Sequence, residues 1–170
     1  WATIRISPVQ RSCATTVTSP AASQLSASIM AHGYRGGGAH RKAIAHQVED
    51  SLRRLRTDYI DLLWCHFWDR NTPIDETMRA LDDLVRAGKV RYVGFSDHPA
   101  WVCVQAQYEA MLKGWTPLIA LQIEYSLLQR TPEADLIPMA QAMGMGVTPW
   151  SPLRGGVLTG KFRDKAAFEG

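Results

Sequence analysis

The sequence of 170 residues lacks several features that would assign it to a class at once. No stretch reaches the roughly 18 consecutive apolar residues that a membrane-spanning helix needs. The three cysteines, Cys13, Cys65 and Cys103, are odd in number and lack the spacing of a metal or redox motif. These absences argue against a membrane protein, a disulfide framework and a cysteine-based metal site. We expect a soluble, cytoplasmic protein with reduced thiols and no resident metal.

The charge balance is also unremarkable. The formal net charge is +3, and 46% of the residues are apolar against 21% charged, which is typical of one globular domain with a real core. Outside the first third of the chain, the excess of basic residues is not gathered in one helix or stripe. We therefore expect neither a nucleic-acid partner nor a membrane partner.

The first 35 residues differ from the rest. Residues 1–33 contain no acidic residue, are dense in Ser, Thr and Ala, follow neither a strand nor a helix period, and begin without Met. A transit-peptide leader is one interpretation, and a disordered or altered segment is the one we favour. We predict an atypical segment over residues 1–35 and a domain over residues 36–170. Its glycine tract at 36–38 lacks the preceding strand and the Gly-Lys-Ser/Thr ending of a phosphate loop.

Four short apolar runs follow, and each ends in side chains that can bond or stack. The first, residues 60–65, ends abruptly in His66. Such runs are typical of buried parallel strands, whose carboxyl ends form a shared site in sheets and barrels. The other runs and their ends are residues 90–95 with Ser96 and Asp97, residues 118–123 with Gln122, Glu124 and Tyr125, and residues 145–149 with Trp150 and Ser151.

Helical patterns alternate with these runs. Apolar residues at helical spacing predict helices over residues 40–56, from Thr72 to Gly88 with Pro73 at the first position, from Pro99 to Gly114, and from Thr131 to Gly144. Repeated strand and helix units of near-constant length favour a (β/α)8 barrel over an irregular doubly wound sheet. A full barrel needs about 250 residues. The predicted fold class is therefore α/β, a partial (β/α)8 barrel with about four parallel strands and covering helices.

Several long segments of the chain resemble the central part of an aldo-keto reductase. They occur in that family's order and spacing between about Arg35 and Phe162, and the most similar group is the bacterial reductases that also resemble potassium-channel β-subunits. The segments are SLRRLRTDY at 51–59, IDLLWCH at 60–66, ALDDLVRAGKVRYVGFS at 80–96, LQIEYSLL at 121–128 and TPWSPLRGGVLTGKF at 148–162. The resemblance implies NADPH-dependent reduction of an aldehyde or ketone.

The resemblance also implies roles for single residues. His66 matches the histidine that orients the substrate carbonyl, and a neutral imidazole can donate one hydrogen bond there. Ser96 and Gln122 match the residues that hold the nicotinamide carboxamide. Asp97 stands where other members often carry Asn or Arg, and an ionised acid cannot donate. Judged without the resemblance, His66 beside several aromatic residues is more often a structural histidine.

The last motif carries the remaining cofactor contacts. Trp150 matches the aromatic ring that stacks on the nicotinamide, and the following turn passes the pyrophosphate; that turn consists of Ser151, Pro152 and Leu153. Lys161 matches a cation that reaches the phosphates, in a loop made pliable by three glycines. Core packing for Trp150 and a solvated surface charge for Lys161 are the alternatives.

Other parts of the family pattern have no match. The family's catalytic Asp, Tyr and Lys precede the helix predicted to begin at His40, and nothing in residues 1–33 indicates the strand that carries the Lys. The chain also stops at Gly170, before the segment that reads the 2'-phosphate of NADPH. We therefore expect little or no turnover by this chain alone. The alternatives are a non-catalytic, subunit-like half-barrel that associates through its exposed edges, or a truncated product without selected function.

Overall fold

The structure is a computed structural model that describes residues 26–30 and 38–162. Strands and helices alternate along this part of the chain. In order they are β1 (Ser26–Met30), α1 (Arg41–Leu55), β2 (Ile60–His66), α2 (Ile74–Arg86), β3 (Val90–Ser96), α3 (Ala100–Lys113), β4 (Leu118–Glu124), α4 (Leu136–Ala142) and β5 (Gly146–Trp150). Two short 3-10 turns lie at Thr131–Glu133 and Arg154–Thr159.

The five strands form one parallel sheet in chain order, from β1 to β5. A helix follows each of the first four strands and crosses back to the start of the next, as parallel neighbours require. The arrangement is that of part of a (β/α)8 barrel, so the predicted fold class is confirmed. All carboxyl ends lie at one edge of this sheet.

The described residues form five strands, whereas we expected about four, and the additional strand is β1. Ser26–Met30 lies in the stretch where we saw no strand, yet it pairs with β2 from Ser26 opposite Leu62 to Met30 opposite His66. The five-residue strand SASIM is too short and too rich in small residues for a period to show, and its pairing with β2 defines it. The interpretation of residues 1–35 as an atypical segment stays a prediction for the rest of that stretch. Cys13, Tyr34 and the first two glycines of the 36–38 tract lie outside the described residues.

The helix ends are set by local chemistry, mostly as predicted. His40 caps α1, because its Nδ1 accepts a hydrogen bond from the Ala43 backbone N–H at 3.3 Å. Pro73 occupies the N-cap of α2 rather than its first helical position, and Gly114 ends α3 in the left-handed conformation. The helix expected from Thr131 is shorter, since a 3-10 turn comes first and α4 begins only at Leu136.

The core lies between the sheet and the helices. Its largest fully buried side chains include Ile44 of α1, Met78 and Leu81 of α2, Val102 of α3 and Phe95 of β3. Two apolar residues of the helices lie outside this core: Leu55 is 39% exposed at the end of α1, and Met111 is 67% exposed on α3. On α3 the buried stripe runs through residues 102, 106 and 110, so residue 111 falls on the outer face.

A buried carboxylate joins two crossover units. Asp82 of α2 accepts hydrogen bonds from the Thr116 backbone N–H at 2.9 Å, the Thr116 hydroxyl at 3.0 Å and Arg86 Nε at 2.6 Å. Burial alone would raise the pKa of Asp82, but the bonds from Arg86 and Thr116 hold it below its usual range. The turn that enters β4 is thereby fixed to α2.

None of the helices in residues 38–162 combines the length and apolar character that a membrane crossing requires.

Candidate functional site

Three predicted site residues stand in one row at the carboxyl edge of the sheet. His66 of β2 is the register partner of Ser96 of β3, and Ser96 is the partner of Gln122 of β4. Register partners in a parallel sheet point to the same face. Ser96 is fully buried, and its hydroxyl donates to Gln122 Oε1 at 3.4 Å. The row therefore presents an imidazole and an amide at this edge, with the Ser96 hydroxyl buried against the amide.

Asp97 links this row to β5. Its Oδ2 lies 3.2 Å from His66 Nε2, and its Oδ1 accepts a hydrogen bond from Trp150 Nε1 at 3.0 Å. An ionised carboxylate can only accept, so His66 Nε2 carries the hydrogen in this contact. Sequence reasoning left the contact of Asp97 open. In the structure this carboxylate has two partners, His66 and Trp150, and both are predicted site residues.

At the carboxyl edge of the sheet, the chain leaves three strands through an uncommon backbone conformation. The residues directly after β2, β3 and β5 have positive φ without being glycine: Phe67 at 65°, Asp97 at 54° and Ser151 at 54°. Each such residue costs on the order of 1 kcal/mol. Backbone bonds beyond the strand ends hold two of them, since Phe67 N–H donates to the Ser96 carbonyl at 3.0 Å and Asp97 N–H to the Gln122 carbonyl at 3.1 Å. The chain thus bends sharply directly after the row of side chains.

His98 belongs to the same framework and was missed by sequence reasoning. Its ring is 5% exposed and stacks on Phe95 with 4.1 Å between the ring centroids. Burial lowers the pKa of His98 to about 4, so the ring is neutral, and Nδ1–H donates to the Ser96 carbonyl at 2.9 Å. The only indication in the sequence was a histidine between a polar strand end and Pro99, which precedes α3. His98 holds the backbone that carries Ser96.

The loop after β5 contains the remaining predicted residues. Ser151, Pro152 and Leu153 follow Trp150 directly, and Arg154 forms an ion pair with Glu124 at the end of β4. This pair attaches the loop to the neighbouring strand. Trp150 itself is 39% exposed, so part of its indole ring is open to solvent although its N–H is bonded to Asp97. Sequence reasoning did not single out Arg154.

Lys161 is held separately, at the far end of that loop. A side chain at Gly156 would place its Cβ 2.6 Å from Lys161 Nζ, so the lysine crosses Gly156 only because that residue has none. Gly155 and Gly160 also adopt positive φ, which lets the loop curl back on itself. The lysine amine lies 4.8 Å from the ring centroid of Phe162. The loop therefore brings one cation close to its own backbone.

These groups fit a nicotinamide cofactor by their chemistry. A carboxamide needs a donor and an acceptor, and the amide of Gln122 carries both at the edge of the sheet, held from behind by the buried Ser96 hydroxyl. A planar ring needs an apolar face, which the partly exposed Trp150 offers. Phosphates suit a glycine-rich loop carrying Lys161. Within residues 26–30 and 38–162, no group of three or more His, Cys, Asp or Glu side chains could hold a metal ion.

Comparison with known proteins identifies dehydrogenases and a reductase as relatives of this chain. The chain is 44% identical over 132 residues to a putative aryl-alcohol dehydrogenase of Saccharomyces cerevisiae, which covers 78% of this chain and 34% of that protein. It is also 44% identical over 132 residues to an NADP(+) aryl-alcohol dehydrogenase of Phanerodontia chrysosporium, covering 78% and 33%. A norsolorinic acid reductase of Aspergillus flavus is 44% identical over 132 residues, covering 77% and 33%.

This chain spans about a third of the length of these curated relatives. A family model, described as the aldo/keto reductase family, matches residues 22–170 and so includes every strand and every candidate site residue. The chain belongs to the aldo/keto reductase family.

Proposed function

We propose that this chain supplies the nicotinamide half of an NADPH-dependent oxidoreductase site that interconverts carbonyl compounds and alcohols. The observation that carries the proposal is the row of His66, Ser96 and Gln122, joined through Asp97 to Trp150. The matched relatives are named as aryl-alcohol dehydrogenases and a norsolorinic acid reductase, and one name includes NADP(+). These names favour aromatic aldehydes or ketones as the substrate class.

The chain's own residues fall into two groups, one for the nicotinamide and one for the phosphates of the cofactor. Gln122 contacts the carboxamide, Ser96 holds the Gln122 amide in place from behind, and Trp150 supports the face of the ring. The turn at Ser151, Pro152 and Leu153 passes the pyrophosphate, and Lys161 supplies a positive charge to the phosphates. When bound, the cofactor supplies the hydride. Arg154 contributes indirectly, because its ion pair with Glu124 fixes the loop against β4.

His66 is the residue that orients the substrate. A neutral imidazole has one N–H, and in this structure Nε2–H is directed at Asp97. A carbonyl oxygen that accepts from Nε2 either replaces Asp97 Oδ2 or shares the hydrogen with it. Asp97 therefore keeps the imidazole in the tautomer that has a hydrogen on Nε2, and it competes with the substrate for that hydrogen.

The test of cofactor binding is a titration with NADPH that follows nicotinamide fluorescence and quenching of tryptophan emission. We expect saturable binding, weakened at least tenfold by Gln122→Ala, since losing a bidentate amide contact removes more than about 1.4 kcal/mol. Gln105→Ala, an exposed glutamine on α3, is the matched control and leaves binding unchanged. A folded chain that binds no NADPH contradicts the proposal.

Turnover by this chain alone is a separate matter. No segment of its sequence matches the family's Asp, Tyr and Lys motifs, so we propose that it binds cofactor with little or no catalysis, because the family's proton donor belongs to those motifs. The measurement is NADPH oxidation with a broad panel of aldehydes. Detectable oxidation that His66→Ala abolishes would show the proposal of inactivity to be wrong.

A second candidate is a non-catalytic, subunit-like half-barrel that associates with another copy through its sheet edges. One observation favours it: in β5 four of five residues are exposed, including Thr148 and Trp150. Exposed strand edges promote pairing between chains. Sedimentation and unfolding experiments distinguish the two candidates. A chain that is monomeric, unfolds cooperatively and binds NADPH supports the first candidate alone.

A further inference from the structure

We infer that Asp97 makes the nicotinamide site selective for the oxidised, positively charged form of the cofactor. This inference rests on the proposed function, because it assumes that the ring binds against Trp150 beside Ser96 and Gln122. It adds a property of that site: the ratio of the affinities for the two redox forms.

The carboxylate of Asp97 is fixed at the centre of the site. One oxygen is bonded to the Trp150 indole N–H at 3.0 Å and the other to His66 Nε2 at 3.2 Å. The side chain is only 21% exposed, and its backbone conformation at φ 54° is held by the bond from Asp97 N–H to the Gln122 carbonyl. A ring held by Trp150, Ser96 and Gln122 therefore has a positioned carboxylate beside it.

Trp150 brings no formal positive charge to Asp97, and neither does His66 in its neutral form. Indole N–H and neutral imidazole N–H groups are dipoles that hold a carboxylate without neutralising it. Glu124, the acid at the end of β4, is different, because it forms an ion pair with Arg154. Asp97 thus places a carboxylate charge beside a ring in this site.

The two forms of the cofactor differ in the charge of the ring. The oxidised ring is a cation and the reduced ring is neutral, whereas the phosphates and the adenosine are the same in both. A fixed carboxylate therefore stabilises the oxidised form selectively, and interactions with Lys161 or the pyrophosphate turn cancel from the ratio of the two dissociation constants. Unit charges a few ångströms apart interact strongly at the effective dielectric of a protein surface. After solvent screening we expect the ratio to change about tenfold.

Asp97 would stabilise the cationic ring that is left when a bound cofactor gives its hydride, a proton with two electrons, to the carbonyl carbon of the substrate. The carboxylate would therefore make the bound reduced cofactor a stronger hydride donor than it would be beside an asparagine. A tenfold change in the ratio corresponds to about 30 mV in the potential of a two-electron couple. The equilibrium on the protein shifts accordingly toward the alcohol and the oxidised cofactor.

The test compares NADP+ and NADPH binding by the whole chain and by Asp97→Asn, using calorimetry at pH 8. Asparagine tolerates positive φ, its amide oxygen can accept from the Trp150 N–H, and its amide N–H can donate to His66 Nε2 once the imidazole adopts its other tautomer, so the substitution removes the charge and keeps the shape. Asp61→Asn is the matched control. Asp61 is 29% exposed on β2 and pairs with Arg91 at 3.5 Å, at the strand end opposite His66.

In Asp97→Asn we expect the ratio of the dissociation constants, NADP+ over NADPH, to rise about tenfold, and in Asp61→Asn to stay unchanged. Binding of both forms with the same ratio in Asp97→Asn as in the original chain overturns the inference and leaves the proposed function standing. An equal change in Asp61→Asn overturns it too, since net charge would then explain the effect. Failure of the folded original chain to bind either form overturns the proposed function together with the inference.

Discussion

Gly94, in the middle of β3, lets Trp64 of β2 pack directly against its backbone. A Cβ at this position would lie 2.5 Å from Cζ3 and 2.8 Å from Cε3 of Trp64, and 2.9 Å from the Ala120 carbonyl oxygen. Carbon atoms in good contact are about 3.5 to 4.0 Å apart. The added methyl therefore overlaps the indole by about 1 Å, judged by that contact distance. Trp64 is only 6% exposed, so its ring has little room to move.

We predict that Gly94→Ala lowers the free energy of unfolding by about 3 kcal/mol, at the upper end of the usual cost of overpacking, because a rigid ring and a backbone oxygen both obstruct the methyl. Gly146→Ala in β5 is the matched control. Its Cβ would meet only the Ile119 carbonyl oxygen, at an ordinary 3.8 Å. That change should be neutral or stabilise by about 0.5 kcal/mol, because alanine has less freedom to lose on folding.

Urea unfolding followed by circular dichroism measures both variants, with the midpoint reporting stability where the slope is unchanged. Trp64→Leu tests the assignment of the clash, since the double variant with Gly94→Ala should lose less than the sum of the two single losses. Equal midpoints for Gly94→Ala and Gly146→Ala would refute the reasoning. A strictly additive double variant would show that Trp64 is not the obstacle.

Three further predictions follow from buried polar groups. Asp82→Ala should destabilise by about 2 kcal/mol in urea unfolding, because Thr116 loses two hydrogen bonds to the carboxylate, while Asp82→Asn should cost less. Burial lowers the pKa of His98 to about 4, so between pH 6.5 and 4 the unfolded chain binds the extra proton, and stability should fall by about 3 kcal/mol as the pH drops through this window. His98→Asn should flatten that pH dependence. Burial raises the pKa of Cys65 and Cys103 to about 12, so neither thiol should react with a disulfide reagent at pH 8 until urea unfolds the chain; prompt reaction of either would contradict its burial.

The sequence was sufficient to predict the repeating part of the fold. Apolar runs at residues 60–65, 90–95, 118–123 and 145–149 became strands β2 to β5 with shifts of only one residue at their ends. These runs are long, apolar and separated by periodic helices, so local pattern and tertiary structure agree. Strand β1 could not be predicted in this way, because its sequence SASIM has no period of its own and forms a strand through its pairing with β2.

The candidate site was predictable as a list of residues, but its connections were not. The ends of the apolar runs indicated His66, Ser96, Gln122 and Trp150, because polar or aromatic residues there break the pattern. The bond from Asp97 to Trp150 joins residues 53 positions apart, and it depends on the register of β3, β4 and β5 together. No local pattern encodes such a contact.

Backbone strain provides an independent indication of where this chain is specialised. Among the described residues, five that are not glycine have positive φ, and three of them directly follow β2, β3 and β5. Phe67 is the most telling of these, because a bulky aromatic residue rarely adopts this conformation. Strain of this kind persists only where surrounding contacts impose it, and here the bonds to the Ser96 and Gln122 carbonyls impose two of the three turns. A sheet that needed only to be stable could end its strands in relaxed loops. The cost falls at the carboxyl edge, beside His66, Ser96 and Trp150, which is the edge where we propose the cofactor site.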